Sequence, residues 1–321
     1  VGPYGQVYFK AGLITWASLA LYYSNLPWAT PRLMMAIVFA IFGVWALWFA
    51  HKRHITLLFS VLFLGILAWF ISIKPSHDRP WRPEFARMPT AIVNGDTVHL
   101  INYRNFDFRT RTDFTERYEE RTVSLSHLTG LDLYISYWMP GPIGHTFVSF
   151  IFDNAAPVSV SIETRPEIGE AFAPIASMFK QFELIYVVGD ERDLVRSRTN
   201  VRKERVFLYH IRISPNNARR LFLVYLERIN ELAAHPEFYD LFRNSCTVNI
   251  IRYANLAGRV GRFDISHLLN GLIDGYLYNQ GWLNTSMPLN ELRARSFINP
   301  AAEAADQQAD FSERIRASLP K

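Results

Sequence analysis

Three stretches of the chain, residues 11–31, 33–50 and 55–73, contain no charged side chain. A helix crosses the bilayer core with about 20 apolar residues. The pattern therefore predicts three N-terminal transmembrane helices in a membrane domain covering residues 1–73. Pro27 and Pro31 interrupt the first stretch near its end, and Trp28, Trp45, Trp48 and Trp69 fall near span ends, where amphipathic rings prefer the interface. The basic loop His51-Lys52-Arg53-His54 joins the second and third stretches. By the positive-inside rule it is cytoplasmic, so everything after residue 73 is expected on the opposite side. A buried core helix is the competing reading, and it would have to hold for three consecutive runs.

After residue 73 the pattern changes. Residues 74–89 are rich in Pro and Arg and read as a linker; residues 90–300 are long enough for one sizeable core. Ala91–Val93 and Thr97–Asn102 flank Asn94-Gly95-Asp96, a hairpin signal. Strands are predicted at Leu131–Trp138, Thr146–Phe152, Val158–Glu163, Glu183–Val188 and Val206–Ile213, whereas residues 103–122 give no regular assignment. Phe222, Tyr225, Leu226, Ile229 and Leu232 recur at helical spacing within 216–234, and another helix starts near Cys246 and ends at Gly258. Residues 301–321 read as a weak helix or tail. Strands followed by helices make the class α+β.

Composition sharpens the division. Residues 1–73 hold four basic residues, Lys10, Arg32, Lys52 and Arg53, and none of the 29 acidic residues. One uniform soluble domain and a disordered chain are excluded. A single Cys excludes an internal disulfide. The net charge of +5 suits an anionic membrane surface, and no zinc-finger or RNA-binding signature points to nucleic acid. There is no Gly-rich phosphate loop, GxSxG elbow, HExxH or paired Cys, and the nine His are scattered, so no metal or cofactor is expected.

The single Cys carries the candidate chemistry. In Asn244-Ser245-Cys246-Thr247 either Asn244 or Ser245 suits an N-cap, which puts Cys246 in a first helical turn. The dipole and free amides there lower a thiol's pKa and can hold an oxyanion, with Asn244, Ser245 and Thr247 as positioning residues. The alternative is a buried Cys acting as a small hydrophobe. A thiol nucleophile needs a base, and His145 opens a strand after the turn Pro140–Gly144. If Phe152 pairs with Val158, Phe147 opposes Glu163 and His145 lies diagonally across the same face, about 7–8 Å away. Glu163 is then a candidate to orient the imidazole, the alternative being a solvated strand residue. Arg165, Arg192 and Arg198 are candidates for gripping a lipid phosphate; the alternatives are structural pairing with an acid and a solvated loop.

The order His, acid, helix-borne Cys resembles the permuted papain-like thiol fold of lecithin retinol acyltransferase-like proteins. A closer resemblance runs from Trp81 to about Pro300. It is carried by Trp81-Arg82-Pro83-Glu84-Phe85-Ala86, Asn102-Tyr103-Arg104-Asn105-Phe106-Asp107, Gly144-His145-Thr146, Ser161-Ile162-Glu163-Thr164-Arg165, Asp190-Glu191-Arg192-Asp193 and Asn244-Ser245-Cys246-Thr247. These segments resemble the Lnb N-terminal periplasmic domain family, whose named member is implicated in bacterial lipoprotein N-acylation. The resemblance implies a multi-pass protein of the inner membrane with a periplasmic cysteine acyltransferase domain, in which His145 and Cys246 match the active-site pattern. The named member has its spans after the domain; here they precede it.

On that reading the Cys246 thiolate attacks a phospholipid ester, and the thioester passes its acyl chain to the N-terminal amine of a diacylglyceryl-Cys lipoprotein, with His145 moving the protons. The rival readings are a cysteine hydrolase acting on peptides, cell-wall amides or phospholipids, and a membrane-anchored binding module with an inert Cys246. Oligomeric state is open, and the opening Val1-Gly2-Pro3 leaves the native start open.

Overall fold

The computed structural model describes residues 3–23, 26, 28–50, 52–171, 173–258 and 264–320. The chain divides into two compact units. The first comprises Val1–Arg79 with the inserts Glu170–Glu183 and Glu237–Asp240. It contains α1 (Pro3–Tyr22), α2 (Ala29–Val44), which runs on as a π turn to Phe49, and α3 (Arg53–Ser72).

Among the described residues only two helices are long and apolar enough to cross a membrane, Ala29–Phe49 and Arg53–Ser72, with mean hydropathies of 2.0 and 2.4. The expectation of three spans is therefore corrected. Uncharged residues 11–31 do not form one helix: α1 ends at Tyr22 and the next helix begins at Ala29. The helix that does form reaches back to Pro3, taking in Gly5, Gln6, Lys10 and two tyrosines, which dilute its hydropathy. Pro27 and His51, on which part of that reading rested, lie outside the described residues. Small residues let the helices approach closely: a Cβ on Gly43 would meet Ile14 at 2.8 Å. Beyond α3, the Lys180 ammonium donates to the carbonyls of Phe70, Ile71 and Ile73 at 2.9–3.2 Å, satisfying acceptors that a helix end leaves open.

The second unit comprises Pro80–Gly169, Leu184–Pro236 and Leu241–Lys321. Its strands are β1 (Thr90–Asn94), β2 (Thr97–Arg104), β3 (Asp107–Phe108), β4 (Phe114–Thr115), β5 (Tyr118–Ser124), β6 (Leu128–Tyr137), β7 (His145–Phe152), β8 (Val158–Arg165), β9 (Glu183–Gly189) and β10 (Arg205–His210). Eight form one sheet in the order β1-β2-β9-β8-β7-β6-β10, with β5 also on β2; β3 and β4 pair separately. The sheet is mixed, because β2 and β9 run parallel at Arg104↔Gly189. A Cβ on Gly189 would lie 2.3 Å from the Arg104 carbonyl oxygen, so only glycine permits that approach. This open mixed sheet corrects the papain-like expectation: the class is α+β, but the strands do not close into a barrel. The sequence pattern specified strands and helices; long-range pairing selected the architecture.

Local chemistry explains the elements. Asn94 pairs with Thr97 across a two-residue turn in which Gly95 has φ +59°. After the short α4 (Glu191–Leu194), Ser214 caps α5 (Pro215–Ala234) by accepting from the Asn217 N–H, with Pro215 in the first turn. Phe222 and Tyr225 of α5 pack on Phe150, with ring centroids 4.6 and 5.5 Å apart. The opposite sheet face, including Tyr134, Phe147, Val187 and Leu208, is covered by C-terminal residues. The segment read as a tail holds Ala302, Ala305, Phe311 and Ile315, all fully buried, and Arg316 donates to Asp132 and Glu191 at 2.6–2.8 Å. Trp81, assigned to the linker, is buried under the Arg165 guanidinium, 4.3 Å from its ring centroid.

Candidate active site

Cys246 opens the helix Cys246–Leu256, whose N-cap is Ser245 in extended conformation. The Ser245 carbonyl accepts the Asn249 N–H at 3.0 Å, while its hydroxyl makes no cap bond. Asn244 Oδ1 accepts instead from Asn249 Nδ2 at 2.9 Å. The thiol is thus set among first-turn amides that have no helical partner, and it is buried, with 2% of the residue exposed.

His145 begins β7, where it pairs with Ser136 of β6. The register of β7 on β8 is Phe150↔Val158 and Phe147↔Ser161. This differs by two residues from the expected Phe147–Glu163 pairing. The loop between the strands closes later than assumed, and an even slip keeps every side chain on its face. Carried two residues further, the observed register sets His145 directly opposite Glu163. Nε2 of His145 lies 2.7 Å from Ser161 Oγ and 3.9 Å from Glu163 Oε1. The same imidazole hydrogen-bonds the Cys246 thiol.

Charge follows from this placement. Burial pushes the Cys246 thiol up, but the His145 charge, a hydrogen bond with that imidazole, and hydrogen bonds from Thr146 overcome it and bring the thiol down to about 6. Burial likewise pushes the Glu163 carboxyl up, and Arg198, then His145, Arg202 and Arg104, hold it at about 2. Arg198 donates to Glu163 at 2.7 Å, lies 3.6 Å from Glu204, and covers the Phe147 ring. Glu204 in turn accepts from Ser136 Oγ at 2.5 Å. Glu163 is therefore a permanent anion beside His145, held by a buried cation.

One contributor, Asn270, had no signal in the sequence pattern. Asn270 Nδ2 points at Cys246 Sγ from 3.6 Å, and its Oδ1 accepts the Gly144 N–H at 2.8 Å, tying the loop before His145 to the thiol. Asn270-Gly271 reads only as a turn dipeptide. Thr146 and Thr247 share a hydrogen bond of 2.8 Å, with Thr247 Oγ1 3.8 Å from the sulfur. An ionised thiol, an adjacent imidazole and donors converging on the sulfur are the parts that nucleophilic thiol chemistry requires.

The candidate phosphate-binding arginines have other partners. Arg165 is buried and donates to the Phe85 and Ala86 carbonyls at 2.9 and 2.7 Å. Arg192 donates to the carbonyls of Gln308 and Asp306. Arg198 serves Glu163. Sequence segments singled out above meet in the same region. Arg104 makes a bidentate pair with buried Asp193 at 2.7–2.8 Å and donates to the Glu84 carbonyl, while Asp193 also accepts the Phe106 N–H. Asn102 adopts φ +56° at the bulge in β2 and donates to the Met88 carbonyl. Among the described residues no three His, Cys, Asp or Glu side chains gather as a metal site.

No curated protein and no solved structure matches the chain. Residues 114–270, which include His145, Glu163, Cys246 and Asn270, match one family description. The chain carries an Lnb N-terminal periplasmic domain at residues 114–270.

Proposed function

We propose that the protein is a membrane-bound cysteine acyltransferase that moves an acyl chain from a phospholipid to the N-terminal amine of a diacylglyceryl-Cys lipoprotein through a Cys246 thioester. The domain match links the chain to lipoprotein acylation at the level of the family. The observation that carries the reaction is geometric: Cys246 opens a helix within hydrogen-bond reach of His145 and Asn270, and His145 is backed by Ser161 and Glu163. The His145 charge brings the thiol down to about 6, which favours thiolate at neutral pH.

In the first half-reaction the sulfur attacks the ester carbonyl. The developing oxyanion is met by first-turn amides of the Cys246 helix and by Asn270 Nδ2. The C–O bond breaks, and the imidazolium protonates the departing lysophospholipid oxygen. In the second, His145 accepts a proton from the attacking amine, the amide forms, the C–S bond breaks and the Cys246 thiolate leaves beside the imidazolium. Glu163 stabilises the imidazolium and, with Ser161, orients Nε2. Two candidate spans support a membrane location. Lys52 between them and Arg53 at the start of the second support a cytoplasmic loop, with the domain after α3 on the periplasmic face of the inner membrane.

The test is intact-protein mass spectrometry of wild type and Cys246→Ala incubated with phospholipid. A hydroxylamine-sensitive acyl adduct on wild type alone is expected, discharged by an added diacylated lipopeptide with N-acylation of its amine. An arm with lipopeptide and no phospholipid reads whether the acceptor's own glycerol esters serve as donor. No adduct in either arm sinks the acyl-enzyme reading; an adduct discharged to water with the amine left free makes the protein a lipid hydrolase.

A further inference from the structure

An apolar pocket of about 60 Å³ reaches Thr146 and Thr247, which adjoin the Cys246 sulfur. Leu133 and Val148 of the sheet, Leu221 of α5, Ile250 and Ala254 of the Cys246 helix, and Leu277 are among its lining residues. Among the described residues no charged side chain lines it. Its hydroxyls, those of Thr146 and Thr247, bond each other and adjoin the sulfur, so neither demands water or a polar ligand.

The helix connects pocket and nucleophile. Cys246, Ile250 and Ala254 are spaced by four residues and share one face. At 1.5 Å per residue Ala254 lies about 12 Å along the helix from Cys246, and Thr247, Ile250, Ile251 and Ala254 form the helix's share of the pocket wall. A chain esterified at a carbonyl over Cys246 can lie along this wall without desolvating a charge. The larger cleft bounded by Tyr137 and Phe297 is different: Lys203, Arg205 and Arg293 line it, and burying them against hydrocarbon is unfavourable.

We propose that this pocket holds the proximal part of the donor's acyl chain, an inference that rests on the acyl-enzyme reading above. The pocket thereby selects an alkyl ester over a peptide or sugar substrate, and its depth sets chain-length preference.

The test uses alkyl methanethiosulfonates on the full chain in detergent. The Cys246 thiolate attacks the alkyl-bearing sulfur, a mixed disulfide forms, and methanesulfinate leaves with the electrons of the broken S–S bond. No ester chemistry is involved, so the measurement is independent of acyl transfer. The readout is the ratio of the octyl rate to the methyl rate within each protein, which cancels changes in thiol reactivity. Wild type should show a ratio of about tenfold or more, because each added methylene is buried. Ala254→Trp, which fills the pocket, should bring the ratio towards one. Should that variant fail to fold, Leu221→Ala deepens the pocket and should move the fastest reagent to a longer chain. A flat ratio in wild type overturns the proposal, as does an unchanged ratio in folded Ala254→Trp or an unmoved optimum in Leu221→Ala. A high wild-type ratio with no phospholipid adduct instead overturns the acyl-enzyme reading and leaves the alkyl site standing.

Discussion

Replacing His145 with alanine removes the group that does most to hold Cys246 ionised, and the consequence can be worked through. In wild type the thiol sits at about 6 against an ordinary 9.0. At pH 7 about nine-tenths of it is thiolate, and the three-unit shift corresponds to about 4 kcal/mol. The causes that lower it are headed by the His145 charge and hydrogen bond, while burial acts in the opposite direction. Without the imidazole, burial is opposed chiefly by Thr146, and the midpoint should climb to 9.0 or above. The thiolate population at pH 7 then falls about ninetyfold. A more basic thiolate is intrinsically the better nucleophile, by about twentyfold over three units. The net loss of alkylation rate at pH 7 is thus only about fivefold, so a single-pH rate would hide the effect. The decisive assay is a pH titration of thiolate ultraviolet absorbance with the Cys246→Ala titration subtracted, which removes the tyrosinate signal of the 15 Tyr and leaves the single thiol. Circular dichroism checks that the variant is folded. A His145→Ala midpoint within about half a unit of wild type would refute the electrostatic account of the site.

Three further outcomes are expected. Glu163 is depressed to about 2 from 4.5, so its stabilisation is fully present above the unfolded value and is lost as pH falls through 2, an effect on the order of 3 kcal/mol. Glu163→Gln should therefore lower the thermal midpoint at neutral pH, and the gap from wild type should close towards pH 2; a gap independent of pH would contradict the pairing with Arg198. Asn270→Ala should slow formation of the acyl adduct by about 10²–10³-fold while the thiolate midpoint stays near 6; if the midpoint moves with the rate, Asn270 acts on the thiol instead of the oxyanion. In Gly271→Ala the new Cβ would meet the Tyr137 ring at 2.7 Å and the Pro142 backbone at 2.8 Å, so a loss of about 1–3 kcal/mol is expected in a denaturant melt, and an unchanged melt would show that the loop yields.

Much of the globular unit was legible because its signals are local. Apolar, β-branched runs mark β6 to β8, the Asn94-Gly95-Asp96 turn marks the first hairpin, and the helical spacing of Phe222, Tyr225, Leu226, Ile229 and Leu232 marks α5. Each acts within a few residues of itself. The same holds for Cys246: a capping residue and a helical pattern are enough to put a thiol among free amides. Even the mistaken register of β7 on β8 left His145 and Glu163 on one face, because it erred by an even number. The membrane region shows the limit of counting charges. An uncharged run of adequate length did not make one helix across residues 11–31.

What the sequence by itself determined is the identity of the reactive groups and the elements that carry them. Tertiary structure alone decided their company. Asn270 reaches the sulfur from 24 residues downstream, Arg198 leaves an apparently solvated loop to neutralise Glu163, and an unpromising C-terminal segment covers one face of the sheet. None of these leaves a periodic trace, since each depends on which distant surfaces are buried together. Burial makes charge pairing strong enough to bring a thiol to about 6 and a carboxyl to about 2, because the water that would otherwise screen these groups is excluded when the sheet and helices close around them.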